Sequence, residues 1–151
     1  MKKPRVLFVC VHNSARSQIA EAYLKKFAGA DYEVLSAGLV PGTINPFMID
    51  VMKEEGIDIS HNKTTSVFEL FKEGKHMSVV ITVCERKAEE KCPIFPGAVK
   101  RFHWSFDDPS KYQGSRDEIL KKTRILRDEI KDKILHFIDE MKQKSVFDHE
   151  S

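Results

Sequence analysis

The sequence predicts a single α/β domain, a four-stranded parallel sheet flanked by helices. Two observations carry this. Apolar runs rich in β-branched residues alternate along the chain with segments whose apolar residues recur at helical spacing, the pattern of strand–helix–strand units. The first run, RVLFVC at residues 5–10, is apolar throughout rather than alternating, as expected of a strand covered on both faces. A length of 151 residues allows one core of ordinary size and not two. The domain is placed at residues 1–144, and residues 145–151, which have no period, are read as a frayed tail.

Each element follows in turn. The first strand stops at a polar loop. From Ala15 onward, Ile19, Ala20, Tyr23, Leu24 and Phe27 fall on one helical face, and Gly29 marks the stop. Residues 32–37 (YEVLSA) read as the second strand. Asn45-Pro46 is a helix start with proline at the first helical position, and that helix ends near Gly56. A short helix is expected over residues 66–72. Residues 77–83 (MSVVITV) form the third strand, ending on Cys84, and residues 99–104 (VKRFHW) the fourth. Ser115 with Glu118 makes a capping box, after which Ile119, Leu126, Ile130, Ile134, Phe137 and Met141 keep the period of a long amphipathic helix.

In sheets of this kind ligands bind at the carboxyl ends of the strands. The strand ends deliver Cys10 to Arg16, Ser36-Ala37-Gly38, Cys84, and Asp107-Asp108-Pro109 to one edge. Composition removes several rival classes. A net charge of +2, with no basic stripe, gives no footing for nucleic acid. No run approaches the roughly 18 apolar residues of a membrane span. MKKPRVLFVCV begins like a secretion signal but runs into His12 and Asn13 without a cleavage pattern. The expectation is a cytoplasmic monomer. Cys10, Cys84 and Cys92 are an odd number, unsuited to a static disulfide framework. Any disulfide in a reducing compartment is then transient and catalytic, although count alone favours three inert buried thiols.

The chemistry centres on Cys10-Val11-His12-Asn13-Ser14-Ala15-Arg16-Ser17. Between a strand end and a helix start, the N–H groups of Val11, His12, Asn13, Ser14, Ala15 and Arg16 lack intrahelical partners, and the helix dipole adds partial positive charge. The loop is an anion cradle without the G-x-x-x-x-G-K-[ST] pattern of nucleotide phosphate loops. A cysteine among those amides is favoured as the thiolate nucleophile. Arg16 offers two parallel hydrogen bonds to a tetrahedral oxyanion, and Ser17 a hydroxyl beside the sulfur. The residues alone support attack of a thiolate on such an oxyanion.

This C-x5-R-S loop resembles that of low-molecular-weight protein tyrosine phosphatases and of the thioredoxin-coupled arsenate reductases built on the same fold. Continuing through Gln18, Ala20 and Glu21 it is more similar to the reductases, since the phosphatases usually carry proline at position 18. SAG at 36–38, GIDISH at 56–61, CPIFPG at 92–97 and HWSFDDP at 103–109 extend the resemblance over nearly the whole chain. It implies a phosphatase-like fold and reduction of arsenate. Cys10 attacks arsenic, Asp108 protonates the departing oxygen, and Cys84 then Cys92 carry a disulfide outward to a thioredoxin-like donor, with no redox cofactor. Weak phosphatase activity is implied as well.

Asp108, immediately before proline, is favoured over Asp107 as the acid. Asn13, Glu21 and Ser36 match positions that hold a structural potassium ion in some members, and the expectation there is either that ion or an ammonium group brought in its place by Lys63. His12 and His61 are read as structural, and no zinc site is expected. Two departures stand out. Seven residues separate Cys84 from Cys92, one more than is usual among close relatives, and Ala15 replaces a frequent cysteine. ERKAEEK, if helical, would hold the Cys84 and Cys92 Cα atoms about 12 Å apart, beyond the roughly 7 Å reach of a disulfide, so refolding on oxidation is expected. A tyrosine phosphatase and a non-catalytic oxyanion or arsenite sensor are the alternatives; neither uses the second and third cysteines in a relay.

Overall fold

The computed structural model describes residues 3–84, 91, 92, 95, 97 and 100–150, with the helical backbone alone over 144–150. Strands β1 (Arg5–Cys10), β2 (Glu33–Gly38), β3 (Val79–Thr82) and β4 (Lys100–His103) form one parallel sheet in the order β2-β1-β3-β4. The chain steps from β1 to β2 on one side and later returns to β3 on the other. The carboxyl end of β1 is therefore the switch point at which a ligand crevice opens. Cys10 is the last residue of that strand.

Alternation along the strands sorts the core into two layers. Val6, Phe8 and Cys10 of β1, with Val79 and Ile81 of β3, pack under α1 (Arg16–Ala28), α2 (Pro46–Lys53) and the last helix, α4 (Arg116–Glu150). Leu7, Val9 and Val80 pack on the opposite face with Val67 and Leu70 of α3 (Val67–Lys72). Burial on both faces explains why β1 lacks alternation.

Helix starts follow their local chemistry. Asn45 Oδ1 accepts from Phe47 and Met48 N–H at 2.9 and 3.2 Å, with Pro46 at the first helical position. Ser66 caps α3 and Ser115 caps α4 through the Glu118 N–H. α1 alone of these four begins without a side-chain cap, on Ala15. Its first N–H groups stay available at the site. The second helix ends at Lys53, three residues before Gly56. The last helix runs on to Glu150, past the expected stop at Lys144. No glycine or proline interrupts that stretch, and extending an existing helix is far easier than starting one. Among the described residues no helix is long and apolar enough to cross a membrane. The expected helix over residues 85–91 falls, but for Lys91, outside the described residues.

Candidate active site

The loop after β1 is shaped by where its carbonyls go. Those of Cys10, Val11, His12 and Ser14 accept from the N–H groups of Leu39, Val40, Gly42 and Asn45 at 2.8 to 3.1 Å. Asn13 O accepts from the Gln18 side chain at 3.1 Å and Ala15 O from Ile19 N–H at 2.9 Å. In a planar trans peptide the next N–H points opposite to the carbonyl. Turning the carbonyls outward therefore turns the following amides inward, and the segment 39–45 builds the cradle. Asn13 N–H shows the result, donating to Cys10 Sγ at 3.0 Å.

Close approach between loop and β2 requires Gly38. A Cβ there would lie 2.7 Å from Asn13 N and 2.8 Å from the His12 carbonyl carbon, well inside contact distance. Asn13 takes a left-handed backbone, φ 54°, which its side chain holds in place. Asn13 Nδ2 donates to Ser17 Oγ at 2.8 Å and Ser36 Oγ at 3.0 Å, while Oδ1 accepts from Thr65 N–H at 2.9 Å and Gln18 Nε2 at 3.2 Å.

Cys10 Sγ and Ser17 Oγ are 2.8 Å apart and buried. Asn13 Nδ2 already donates to Ser17 Oγ, so the hydroxyl proton is available to donate to sulfur when Cys10 is the thiolate. Arg16 is buried, with Nη1 donating to Phe106 O at 3.4 Å and Nη2 3.8 Å from Asp108 Oδ2. Asp108 accepts from Ser110 N–H at 3.0 Å and Ser110 Oγ at 2.7 Å. Burial raises its pKa, but the two Ser110 bonds, then Arg16 and Lys111, outweigh this and leave it below the usual carboxylate range. Asp107 is exposed. Tyr112 nearby is pushed up to about 12, by burial first and then by the Asp107, Glu129 and Asp108 carboxylates. It stays protonated at neutral pH.

All three cysteines are buried. Val83 N–H donates to Val9 O at 2.8 Å, so β3 leads Cys84 out beside the end of β1, in the same packed layer as Cys10. Cys92 packs in the other layer, with Leu70, Val80 and Phe95. The site thus gathers Cys10, Asn13, Arg16, Ser17 and Asp108, sets Cys84 on their face of the sheet, and leaves Cys92 across it.

The ammonium that pairs with Glu21 is that of Lys25, not Lys63. Ser36 Oγ donates to Glu21 Oε1 at 2.5 Å, and Lys25 Nζ meets Glu21 Oε2 at 2.6 Å. Lys25 lies one helical turn beyond Glu21, the spacing at which side chains on a helix meet. Lys63 is exposed and contributes its main-chain carbonyl, which accepts from Gln18 Nε2 at 3.2 Å. Asn13 Oδ1 faces two N–H groups, and Glu21 pairs with Lys25 on one carboxylate oxygen and with Ser36 on the other. Among the described residues no three His, Cys, Asp or Glu side chains cluster as a metal site. His12 is an exposed rim residue, Nδ1 lying 3.0 Å from Val40 O.

Sequence reasoning missed the work of segment 39–45, Thr65 and Gln18. The Glu21/Lys25 pair was legible as an i,i+4 spacing. The Gln18–Lys63 and Thr65–Asn13 bonds join residues 45 and 52 apart in sequence and leave no local signature.

A nucleophile loop of this construction at the switch point of a four-stranded parallel sheet defines a class. The family described as low molecular weight phosphotyrosine protein phosphatase matches residues 5–146, and the chain belongs to it. Within that class the similar curated proteins are arsenate reductases. That of Bacillus subtilis is 38% identical over 139 residues, covering 92% of this chain and 98% of the relative. That of Bacillus licheniformis is 40% identical over 140 residues with the same coverage. Among solved structures, an arsenate reductase in the oxidised state superposes with TM-score 0.75 at 27% identity, covering 90% of this chain and 97% of that one. A low molecular weight protein tyrosine phosphatase from T. tengcongensis gives 0.71 at 26% identity, covering 91% and 99%. A thioredoxin-dependent arsenate reductase of Corynebacterium glutamicum gives 0.59 at 30%, covering 89% of this chain and 63% of that one.

Proposed function

We propose that this chain reduces arsenate to arsenite in the cytoplasm, as a monomer regenerated by a thioredoxin-like dithiol protein. Arsenate sits on the inward amides of residues 11–16 and the Arg16 guanidinium. Cys10 thiolate forms a sulfur–arsenic bond as an arsenate oxygen leaves, protonated by Asp108. Ser17 steadies the sulfur when it is anionic. Cys84 thiolate then attacks Cys10 sulfur. The sulfur–arsenic bond breaks with its electron pair going to arsenic, which departs as arsenite and leaves a Cys10–Cys84 disulfide. Cys92 attacks Cys84 and releases Cys10, and the external dithiol supplies two electrons to the Cys84–Cys92 bond.

The observation that carries this reading is Cys84 at the end of the strand beside the nucleophile, in the same buried layer. Hydrolysis of a phosphocysteine has no use for it. The test is steady-state arsenate turnover coupled to thioredoxin, thioredoxin reductase and NADPH. Cys10→Ser abolishes both this and hydrolysis of a phosphate ester. Cys84→Ser and Cys92→Ser abolish arsenate turnover and leave the weak ester hydrolysis intact. Arsenate turnover that survives in Cys84→Ser would sink the relay, and a parent protein that never turns over would support the sensor.

A further inference from the structure

We infer that Gln18 is a positioning residue: its side chain fixes the Asn13–Ser14 peptide plane and so aims the Ser14 N–H at the bound oxyanion. This rests on the reading of the loop as the oxyanion site. Among the described residues, of the loop carbonyls from Cys10 to Ala15 only that of Asn13 is held by a side chain. The others accept from main-chain N–H groups of Leu39, Val40, Gly42, Asn45 and Ile19. Asn13 O accepts from Gln18 Nε2 at 3.1 Å. The same nitrogen lies 3.2 Å from Asn13 Oδ1 and 3.2 Å from Lys63 O, while Gln18 Oε1 accepts from Asn62 Nδ2 at 3.0 Å. Three carbonyl oxygens on one side and an amide nitrogen on the other fix which end of the carboxamide is which. Gln18 is 1% exposed, so no solvent competes for these bonds.

The peptide in question follows a left-handed residue, φ 54° at Asn13. Non-glycine residues hold that conformation only where the surroundings over-determine it. Loss of the Gln18 donor frees Asn13 O to rotate toward another proton, and the Ser14 N–H rotates with it. The preceding peptide is held separately, His12 O accepting from Gly42 N–H at 2.9 Å. The Asn13 N–H bond to Cys10 Sγ therefore does not depend on Gln18. Gln18 Nε2 also reaches Asn13 Oδ1, but Thr65 N–H donates to the same oxygen at 2.9 Å, so the Asn13 side chain that holds Ser17 beside the sulfur keeps an anchor when Gln18 is lost.

The test uses the full reduced chain with inorganic phosphate as the probe. Gln18→Met keeps the length of the side chain and removes both hydrogen-bonding ends. We expect phosphate affinity, measured by calorimetry, to fall about tenfold, while the pH profile of Cys10 alkylation stays that of the parent. A merely structural role would not separate the two. Phosphate affinity within twofold of the parent would overturn the inference, as would a parallel shift of the alkylation profile. A measurement on the parent alone covers a variant that fails to fold: the Ser14 amide proton resonance moves downfield on phosphate saturation, and an unmoved resonance overturns the inference. A parent that binds no phosphate overturns both the inference and the oxyanion reading, whereas binding retained equally in Gln18→Met overturns the inference alone.

Discussion

In the proposed reaction Asp108 gives up a proton, yet its neighbours hold its pKa below the usual carboxylate range. Ser110 donates two hydrogen bonds to it and Arg16 lies 3.8 Å away. An arriving oxyanion leaves the Ser110 bonds in place and acts through Arg16 and through its own charge. It draws the guanidinium to its own oxygens and adds negative charge beside the carboxylate, which raises the proton affinity of Asp108 when a proton donor is needed. Asp108→Asn is expected to slow arsenate turnover and ester hydrolysis by 10²- to 10⁴-fold, with little change in phosphate affinity. Stability gives an independent check. A folded-state pKa below the unfolded value of about 3.9 contributes stability above that pH and loses it as pH falls through the folded value. Asp108→Asn is therefore expected to be less stable than the parent at pH 7 by up to about 1 kcal/mol. The gap narrows as pH falls below about 4, as denaturant titrations at neutral and acidic pH would show. An unchanged gap would mean that the carboxylate is not held ionised by its neighbours.

At the scale of elements, the catalytic loop is assembled by its neighbours rather than by its own sequence. β2 runs beside β1 with Cys10 opposite Gly38, and the chain then doubles back along the loop as segment 39–45. Gly38→Ala tests how closely the two must approach. Its methyl group would sit 2.7 to 2.9 Å from loop backbone atoms, which cannot swing away as a flexible side chain would. The expected cost is about 1–3 kcal/mol in stability, together with at least a tenfold loss of phosphate affinity. Retained affinity would show that the loop tolerates displacement. The strands and helices themselves were legible, because periodicity and caps are local: RVLFVC, Asn45-Pro46 and Ser115/Glu118 each predict their own element. The nucleophile loop was legible for the same reason, with Cys10, Arg16 and Ser17 within eight residues. The outward carbonyls, the grip of Thr65 on Asn13 and the need for Gly38 arise only when distant segments meet. The misplaced ammonium has a similar origin. Lys63 does reach the network, but through its backbone, which side-chain chemistry gives no reason to expect.

Across the whole molecule, the sheet separates the three sulfurs. Cys10 and Cys84 lie in the layer beneath α1, α2 and α4, and Cys92 lies in the smaller layer beneath α3. A Cys84–Cys92 disulfide needs Cα atoms within about 7 Å and Cβ atoms that face each other. One sulfur must therefore leave its layer. The layer holding Cys84 is braced by three helices, including the long α4, whereas that of Cys92 is closed by the short α3 and by Phe71 stacked edge-on against Phe95 at 5.7 Å. The weaker layer should yield, since local opening follows the fewest buried apolar contacts. The Cys10→Ser variant retains only Cys84 and Cys92 and so isolates this bond. On its oxidation, amide hydrogen exchange is expected to quicken in α3 and around Phe95, and to stay slow in α1 and α4. The half-exposed Phe68 and Phe71 would then join newly uncovered apolar surface, raising the binding of an apolar dye. Reduction would reverse both changes. Equal protection of α3 in the two redox forms would mean that Cys84, not Cys92, makes the crossing, and α1 would then lose protection in its place.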